Sequence, residues 1–362
     1  MLLAVQFPPW LSPEIIPGLP IRWYGLMYVV AFGVAFLLYR RQVRERHFPM
    51  TEDQLSGLFL WGILALLLGA RIFATLVYET SDIYQRQPWL IFWPFRDGRF
   101  TGLQGMSYHG GVIGGILGIL GYSKVKGFDY RETGDMFAAS IPLGYTFGRI
   151  GNFINGELYG RVTAGPLGMI FPNAQGFSAQ EPWVREAAEK AGIPIPAGNA
   201  LLNLPRHPSQ LYEALFEGVV LWAIIWLVRN RKPFKGFLVG LYLLGYGFFR
   251  FILEYFREPD ADLGYRIQFV HDGLPPALFS SLFNFSTGQI FNFVMILAGG
   301  LWLVAASRLP NRKPVLVYSS SGGNYAGRSG GNSFGTGEEN KTRKAEKAAA
   351  RRSRRKLQKK LR

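Results

Sequence analysis

The sequence predicts an all-α polytopic membrane protein: seven transmembrane helices, N-terminus outside and C-terminus inside, a small extracytoplasmic head and a disordered basic C-terminal tail. Three observations carry that reading. The 362 residues are 49% hydrophobic and 15% aromatic, a composition that fits a multi-spanning membrane protein. The apolar residues lie in long runs separated by short Lys/Arg clusters, and such clusters mark cytoplasmic loops. The formal net charge of +16 is concentrated at one end, because Arg308 to Arg362 holds sixteen Lys/Arg against three acids. Outside that stretch the excess is small, so no specific nucleic-acid partner is expected. The chain has no cysteine, which excludes disulfides, thiol catalysis and Cys-ligated metals. His47, His109, His207 and His271 show no paired metal spacing, and no metal or other cofactor is expected. The first twenty residues are broken by prolines and lack the basic start and small-residue cleavage pattern of a signal peptide.

Met1–Pro20 reads as an apolar arm at the membrane interface. The first helix covers Trp23–Tyr39, at the short end of the roughly 17–25 residues that span a bilayer. Arg40, Arg41, Arg44 and Arg46 follow and place that loop in the cytoplasm. The second helix, Leu55–Tyr78, carries Arg71. Glu79–Gly105 mixes charges with Trp89, Phe92, Trp93 and Phe95 and suits an arm at the outer interface. The third helix, Met106–Tyr122, is rich in glycine. Gly110, Gly114 and Gly118 recur at four-residue spacing, as do Gly111 and Gly115, so two adjoining faces allow close helix packing. The fourth helix, Gly134–Phe147, climbs outward after the cytoplasmic turn of Lys124, Lys126 and Arg131. Residues 157–208 form an extracytoplasmic insert too small to stand as an independent domain.

The fifth helix, Leu211–Val228, ends in Arg229, Arg231, Lys232 and Lys235. The sixth, Gly236–Phe256, brings Tyr246, Arg250 and Glu254 onto one face by their four-residue steps. The seventh, Gln289–Ala306, leads into the tail. Residues 1–309 are thus one transmembrane domain, and 310–362 a tail that is Ser/Gly-rich and then Lys/Arg-rich. Such a tail is attracted to anionic lipids of the cytoplasmic leaflet by about 1 kcal/mol per well-placed basic residue.

The stretch Gly148–Arg161, GRIGNFINGELYGR, sets two arginines, two asparagines, a glutamate and four glycines where an apolar run ends. A polar loop capping a helix is one reading. The other is a cavity lining, since unpaired charges and amides are expensive in hydrocarbon. Orientation favours the second, because the outer ends of four helices then converge: Tyr24 on the first, His109 on the third, Arg149 and Asn152 on the fourth, Arg250 and Glu254 on the sixth. Arg250 falls six residues inside the expected helix end, about 9 Å deep by helical rise, with Glu254 as its nearest partner. A structural ion pair would explain those two alone. Arg149 adds a second guanidinium, and two buried guanidiniums call for an anion between them. At that depth the natural anion is a phospholipid phosphate, which guanidiniums bind bidentately. His109, otherwise a helix-cap residue, is the one histidine expected near the cavity, and an imidazole accepts a proton near neutral pH. Tyr24 either anchors its helix at the interface or contributes a phenol.

GRIGNFINGELYGR, with SYHGGVIGG upstream and HPSQLYEALFEG and FRFILEYFREPD downstream, resembles the prolipoprotein diacylglyceryl transferase family. The resemblance extends from the WYG at Trp23 to the GQI at Gly288, with Tyr159 where the family usually has tryptophan. It does not reach the tail beyond about Leu309, and it is loose over Val162–Leu204. It implies a bacterial inner-membrane transferase, acting at the outer leaflet in the first step of lipoprotein maturation. The diacylglyceryl group of phosphatidylglycerol passes to the lipobox cysteine thiol of a prolipoprotein signal peptide, a thioether forms, and glycerol phosphate leaves. It also implies catalytic roles for Tyr24, His109, Arg250 and Glu254, and phosphatidylglycerol-binding roles for Arg149, Asn152, Glu157 and Gly160; the last two rest on the resemblance alone. A transporter or lipid flippase would also carry intramembrane Arg/Glu pairs, but no inverted repeat is visible between the halves. A non-catalytic scaffold would not need Arg149, His109 and Arg250 on one side.

Overall fold

Helix starts follow local chemistry. The Thr51 hydroxyl accepts from Gln54 N–H while the Gln54 side chain accepts from Thr51 N–H, and Ser286 with Gln289 repeats this capping box. The computed structural model describes residues 4–310 apart from 20, 81, 97, 101–104, 197, 260–263 and 272. Its helices are α1 (Trp23–Glu45), α2 (Glu52–Phe73), α3 (Ile83–Arg86), α4 (Tyr108–Val125), α5 (Tyr130–Ala138), α6 (Ile141–Ile154), α7 (Pro182–Ala191), α8 (Ser209–Glu213), α9 (Leu221–Val228), α10 (Phe237–Leu253) and α11 (Thr287–Arg308). Two stretches are π-helical: Ala74–Tyr78, which extends α2, and Ala214–Val220, which joins α8 to α9.

Among the described residues four helices are long and apolar enough to cross a membrane: Trp23–Glu45, Glu52–Tyr78, Ser209–Val228 and Thr287–Arg308; Phe237–Leu253 is a shorter apolar helix. The protein is therefore a mostly helical, multi-pass membrane protein, in which α10, at 17 residues, is shorter than the expected Gly236–Phe256. The tail, from residue 311 onward, lies outside the described residues.

Several boundaries differ from expectation: α1 runs to Glu45 instead of Tyr39 and carries Arg40, Arg41 and Arg44 on helix, and two further differences bear on the site. The expected helix over Gly134–Phe147 is two helices. Asp129 caps α5 at Arg131 N–H, and α6 begins anew with Pro142 in its first turn. Consequently α6 runs on to Ile154, and Arg149 and Asn152 sit on helix rather than in a loop. At the other site α10 stops at Leu253 instead of Phe256, so Arg250 lies only three residues from the helix end. The chain turns away there because Phe256 C=O accepts from Arg161 N–H at 2.9 Å.

Helix pairing is tightest between α2 and α4. A Cβ on Gly114 would lie 2.2 Å from Ala65 C=O, and one on Gly110 would lie 2.4 Å from Gly69 C=O. The second glycine face is looser, since a Cβ on Gly111 meets nothing nearer than 3.5 Å. Elsewhere α6 packs on α1 and on the Ser209–Val228 rod, and α10 packs on α11.

The basic loops are less free than their sequence suggests. Lys232 is buried between Glu132 and Asp135, and Lys235 pairs with Asp129 at 2.8 Å. Asp135 also accepts from Gly236, Leu238 and Val239 N–H, capping α10 in trans. Arg71, the charge within the second span, donates to Gly105 C=O at 3.1 Å and to Tyr84 OH at 3.3 Å. It pins the aromatic arm that follows α2.

At the opposite end, the insert packs around Val162, Val184, Ala188, Leu202, Leu204 and Ala277. Arg161, 2% exposed, ties it to the later loop through Tyr265 OH, Pro276 C=O and Leu278 C=O. The N-terminal arm joins it as well: Val5–Gln6 pairs in parallel with Met169–Ile170, and Phe7 packs on Phe153 and Phe171. The insert is thus one part of a shared cap.

Gly114→Ala forces a methyl group into the Ala65 backbone and is expected to cost about 1–3 kcal/mol, the range for overpacking. Gly111→Ala should cost much less. Thermal unfolding of the two purified variants in detergent compares them directly.

Candidate active site

The centre of the site is a carboxylate that sequence reasoning did not single out. Glu213, 0% exposed, ends α8 where the π stretch begins. Its Oε2 lies 2.9 Å from Arg149 Nε, and its Oε1 lies 2.8 Å from Arg250 Nη1. Arg257 Nη1 approaches Oε1 at 3.5 Å. The anion expected between Arg149 and Arg250 is therefore supplied by the protein itself. Glu254 is also an Arg250 partner, as the four-residue step implies, at 3.1 Å; its Oε1 accepts from Ser286 Oγ.

One turn along the rod, Glu217 is wholly buried too. Its Oε2 accepts from Tyr145 OH at 2.5 Å, and Tyr145 OH accepts from Arg149 Nε at 2.6 Å. Tyr145 thus links the Arg149 guanidinium to a second buried carboxylate, with the Tyr246 ring edge-on at 5.8 Å. The π stretch brings both glutamates to this face. Thr146 Oγ1 on α6 donates to Ala214 C=O within it at 3.3 Å, so the wide turn is held against the helix that carries Arg149.

Polar groups continue toward the insert. Arg149 Nη1 donates to Asn152 Oδ1 at 3.4 Å, and Asn152 Nδ2 donates to Glu157 Oε1 at 3.0 Å. Asn155 Nδ2 donates to the same oxygen, while Gln210 Nε2 donates to Glu157 C=O. Gly160 acts through its backbone. Its N–H donates to His207 C=O at 2.8 Å, and a Cβ there would lie 2.2 Å from Phe256 C=O. Behind this seam Arg206 pairs with Glu258 and lies over the Tyr159 ring at 4.8 Å. Burial holds the His207 imidazole below its usual pKa range.

Five sequence-derived candidates therefore share one chain of polar contacts: Arg149, Asn152, Glu157, Arg250 and Glu254. Gly160 joins through backbone. Tyr24 packs on α6 at Gly151, and its OH lies 2.9 Å from Tyr28 OH. His109 starts α4, on the neighbouring α2–α4 pair. Its Nδ1 is 2.7 Å from Tyr78 OH, at the end of the first π stretch. With Nδ1 as donor to Tyr78, Nε2 keeps its lone pair.

Sequence reasoning missed Glu213, Glu217, Tyr145 and Tyr78. The first two stand in HPSQLYEALFEG at four-residue spacing inside an apolar run, which is signal enough. Nothing in the sequence marks Tyr145 or Tyr78 among the other aromatic residues.

The arrangement can hold an anion. Arg149 and Arg250 keep 17% and 13% of their side-chain surface exposed, against 0% for Glu213. Both arginine side chains are therefore partly accessible, while the carboxylate between them is not. Glu213→Ala strips two of them of their shared counter-ion and is expected to cost about 3–5 kcal/mol, the range for breaking a buried pair. Thermal unfolding in detergent reads that loss; an unchanged melting temperature would deny Glu213 its bridging role.

Comparison with known proteins places the chain. The family model for prolipoprotein diacylglyceryl transferase matches residues 13–305. A phosphatidylglycerol–prolipoprotein diacylglyceryl transferase of Treponema denticola is 57% identical over 82% of this chain and 93% of its own. That of Treponema pallidum is 52% identical over 84% and 96%. That of Borrelia garinii subsp. bavariensis is 38% identical over 85% and 95%. The match covers every helix that carries the polar cluster, and the chain belongs to the prolipoprotein diacylglyceryl transferase family.

Proposed function

We propose that this protein transfers the diacylglyceryl group of phosphatidylglycerol to the lipobox cysteine of a prolipoprotein signal peptide. The observation that carries the reading is the Arg149–Glu213–Arg250 bridge, whose arginine side chains stay partly exposed beside a fully buried carboxylate, in a chain of this family. In this reading the chain crosses a bacterial inner membrane seven times, with α4, the α5–α6 pair and α10 completing the four longer spans. The N-terminus is outside, and the insert forms a head over a site open to the outer leaflet.

Arg149 and Arg250 hold the lipid phosphate through their free N–H groups, with Glu254 and Glu213 fixing the fork of Arg250. Asn152, tied to Glu157, and the backbone at Gly160 set the wall that receives the headgroup. Tyr24 shapes the entrance from α1. His109 takes the proton of the acceptor thiol, directly or through water, with Tyr78 fixing the ring. The thiolate attacks the glyceryl carbon, a C–S bond forms, and the C–O bond to phosphate breaks. Its electron pair stays on the phosphate oxygen, so the leaving glycerol phosphate carries one more negative charge than the diester. The arginines are aimed at that growing charge. The Lys/Arg-rich tail attracts anionic lipids of the inner leaflet.

Arg149→Lys and Arg250→Lys are each expected to lower turnover by about 10²–10³-fold, the loss on removing one charge-stabilising donor, because a point charge does not reproduce the planar fork. Purified protein, phosphatidylglycerol and a lipobox peptide suffice for the assay, and thioether formation without ATP or an ion gradient separates a transferase from a lipid transporter. Full activity of either lysine variant would remove that arginine from the phosphate site. His109→Gln keeps a hydrogen-bonding side chain and loses the base, so its rate should fall at every pH with the low-pH limb of the wild-type profile gone. Wild-type rates across pH would remove His109 from that role.

A further inference from the structure

Resting on the phosphate reading above, charge balance in the buried cluster assigns a role to a residue outside that reaction. Arg149, Arg250 and Arg257 contribute three guanidiniums, and Glu213, Glu217 and Glu254 three carboxylates. With every carboxylate ionised the cluster is neutral. A phosphodiester monoanion entering it would leave a net negative charge in a low-dielectric site, where an uncompensated charge is expensive. Neutrality returns when one carboxylate takes a proton.

The three carboxylates are not equally held. Glu213 has three guanidiniums. Glu254 has Arg250 at 3.1 Å and the Ser286 hydroxyl. Each of the three keeps one buried oxygen without a hydrogen bond, so ion pairing separates them: Glu217 has Tyr145 OH on Oε2, and its one guanidinium, Arg250 Nη1, stands 3.6 Å away. The groups facing it are Tyr145 and Arg149 from α6, Glu213 from its own rod, and Tyr242, Tyr246 and Arg250 from α10. Its carboxylate neighbour further opposes its charge. Glu217 is therefore the carboxylate that binds a proton at least cost. Protonation also releases Arg250 Nη1 from one of its two carboxylates on this rod and makes it available to the ligand.

We propose that Glu217 takes up a proton when the anionic phosphate of the lipid donor enters the cluster, so that donor binding and protonation of this buried carboxyl are one coupled event. Glu217 is a positioning residue: it acts on the phosphate through Arg250 and, by way of Tyr145, through Arg149.

Titration calorimetry of the purified protein with dioleoyl phosphatidylglycerol in non-ionic micelles, run in two buffers of different ionisation enthalpy, reads the protons taken up. Wild-type protein should take up about one proton per lipid bound, and its affinity should fall about tenfold per pH unit once Glu217 is ionised in the free protein. Glu217→Gln keeps the shape and an acceptor for Tyr145. It should bind the lipid with near-zero proton uptake and an affinity nearly flat in pH. Lipid binding to wild type without proton uptake overturns the proposal while leaving the phosphate reading intact. Undiminished uptake by Glu217→Gln also overturns it and points to His109 as acceptor. No lipid binding by wild type overturns the phosphate reading and this proposal with it. Should Glu217→Gln fail to fold, difference infrared spectroscopy on wild type decides. A protonated-carboxyl band that appears with lipid and shifts with 13C-glutamate labelling is the expected result, and its absence overturns the assignment.

Discussion

Everything at the insert end of this protein depends on compensation of charge where water is scarce. Three arginines lie within reach of Glu213, a carboxylate with no exposed surface. A charge buried alone costs several kcal/mol even after relaxation, so neither the arginines nor the glutamate persists there without the other. That mutual requirement fixes α6, the α8–α9 rod and the end of α10 relative to one another. Apolar packing between glycine-bearing helices sets the separations, and the ion pairs set the rotation about each helix axis. The arginine donors left over, partly exposed, are what the fold presents to a ligand.

A second network does the same at the other end. Asp135 accepts from three backbone N–H groups at the start of α10 and pairs with buried Lys232. α10 is thereby held by electrostatics at both termini, through Asp135 at one and through Arg250 and Glu254 at the other. Its apolar middle has few ways to slide. By contrast α4 is seated mainly on α2 through glycine contacts, and it carries His109 on a pair of helices distinct from the arginine-bearing bundle. His109 and the Arg149–Arg250 cluster thus sit on different helix groups.

Much of this is legible in the amino-acid order. Apolar runs locate the helices, the Gly110–Gly114–Gly118 spacing locates the tightest packing face, and the spacing of Tyr246, Arg250 and Glu254 locates one wall of the site. Other features are hidden for physical reasons. Two α6 residues resemble loop because glycines at 148 and 151 dilute helical propensity, yet a neighbour packs where Gly151 has no side chain. Lys232 and Lys235 resemble free cytoplasmic charges because their partners Asp129, Glu132 and Asp135 lie about a hundred residues earlier. Glu213 and Glu217 stand out as part of a motif and not as charges in need of partners. Tyr78 and Tyr145 matter only through positions that no local pattern encodes.

Both π stretches adjoin candidate residues, Tyr78 with His109 in one and Glu213 with Glu217 in the other. A π turn holds one residue more than the surrounding helix needs. Deleting that residue would yield a more regular rod, and it would also turn everything beyond it by about 100° around the axis. In the first rod the phenol would leave the imidazole, and in the second the helix beyond the deletion would turn relative to Glu213, so that Glu213 and α9 could no longer both keep their seats. Helical regularity and the polar site are thus opposed at the level of a single inserted residue, twice in one chain. The local irregularity behaves as an index mark: length can drift at the helix ends, but the count of residues between each wide turn and its site is fixed by angle.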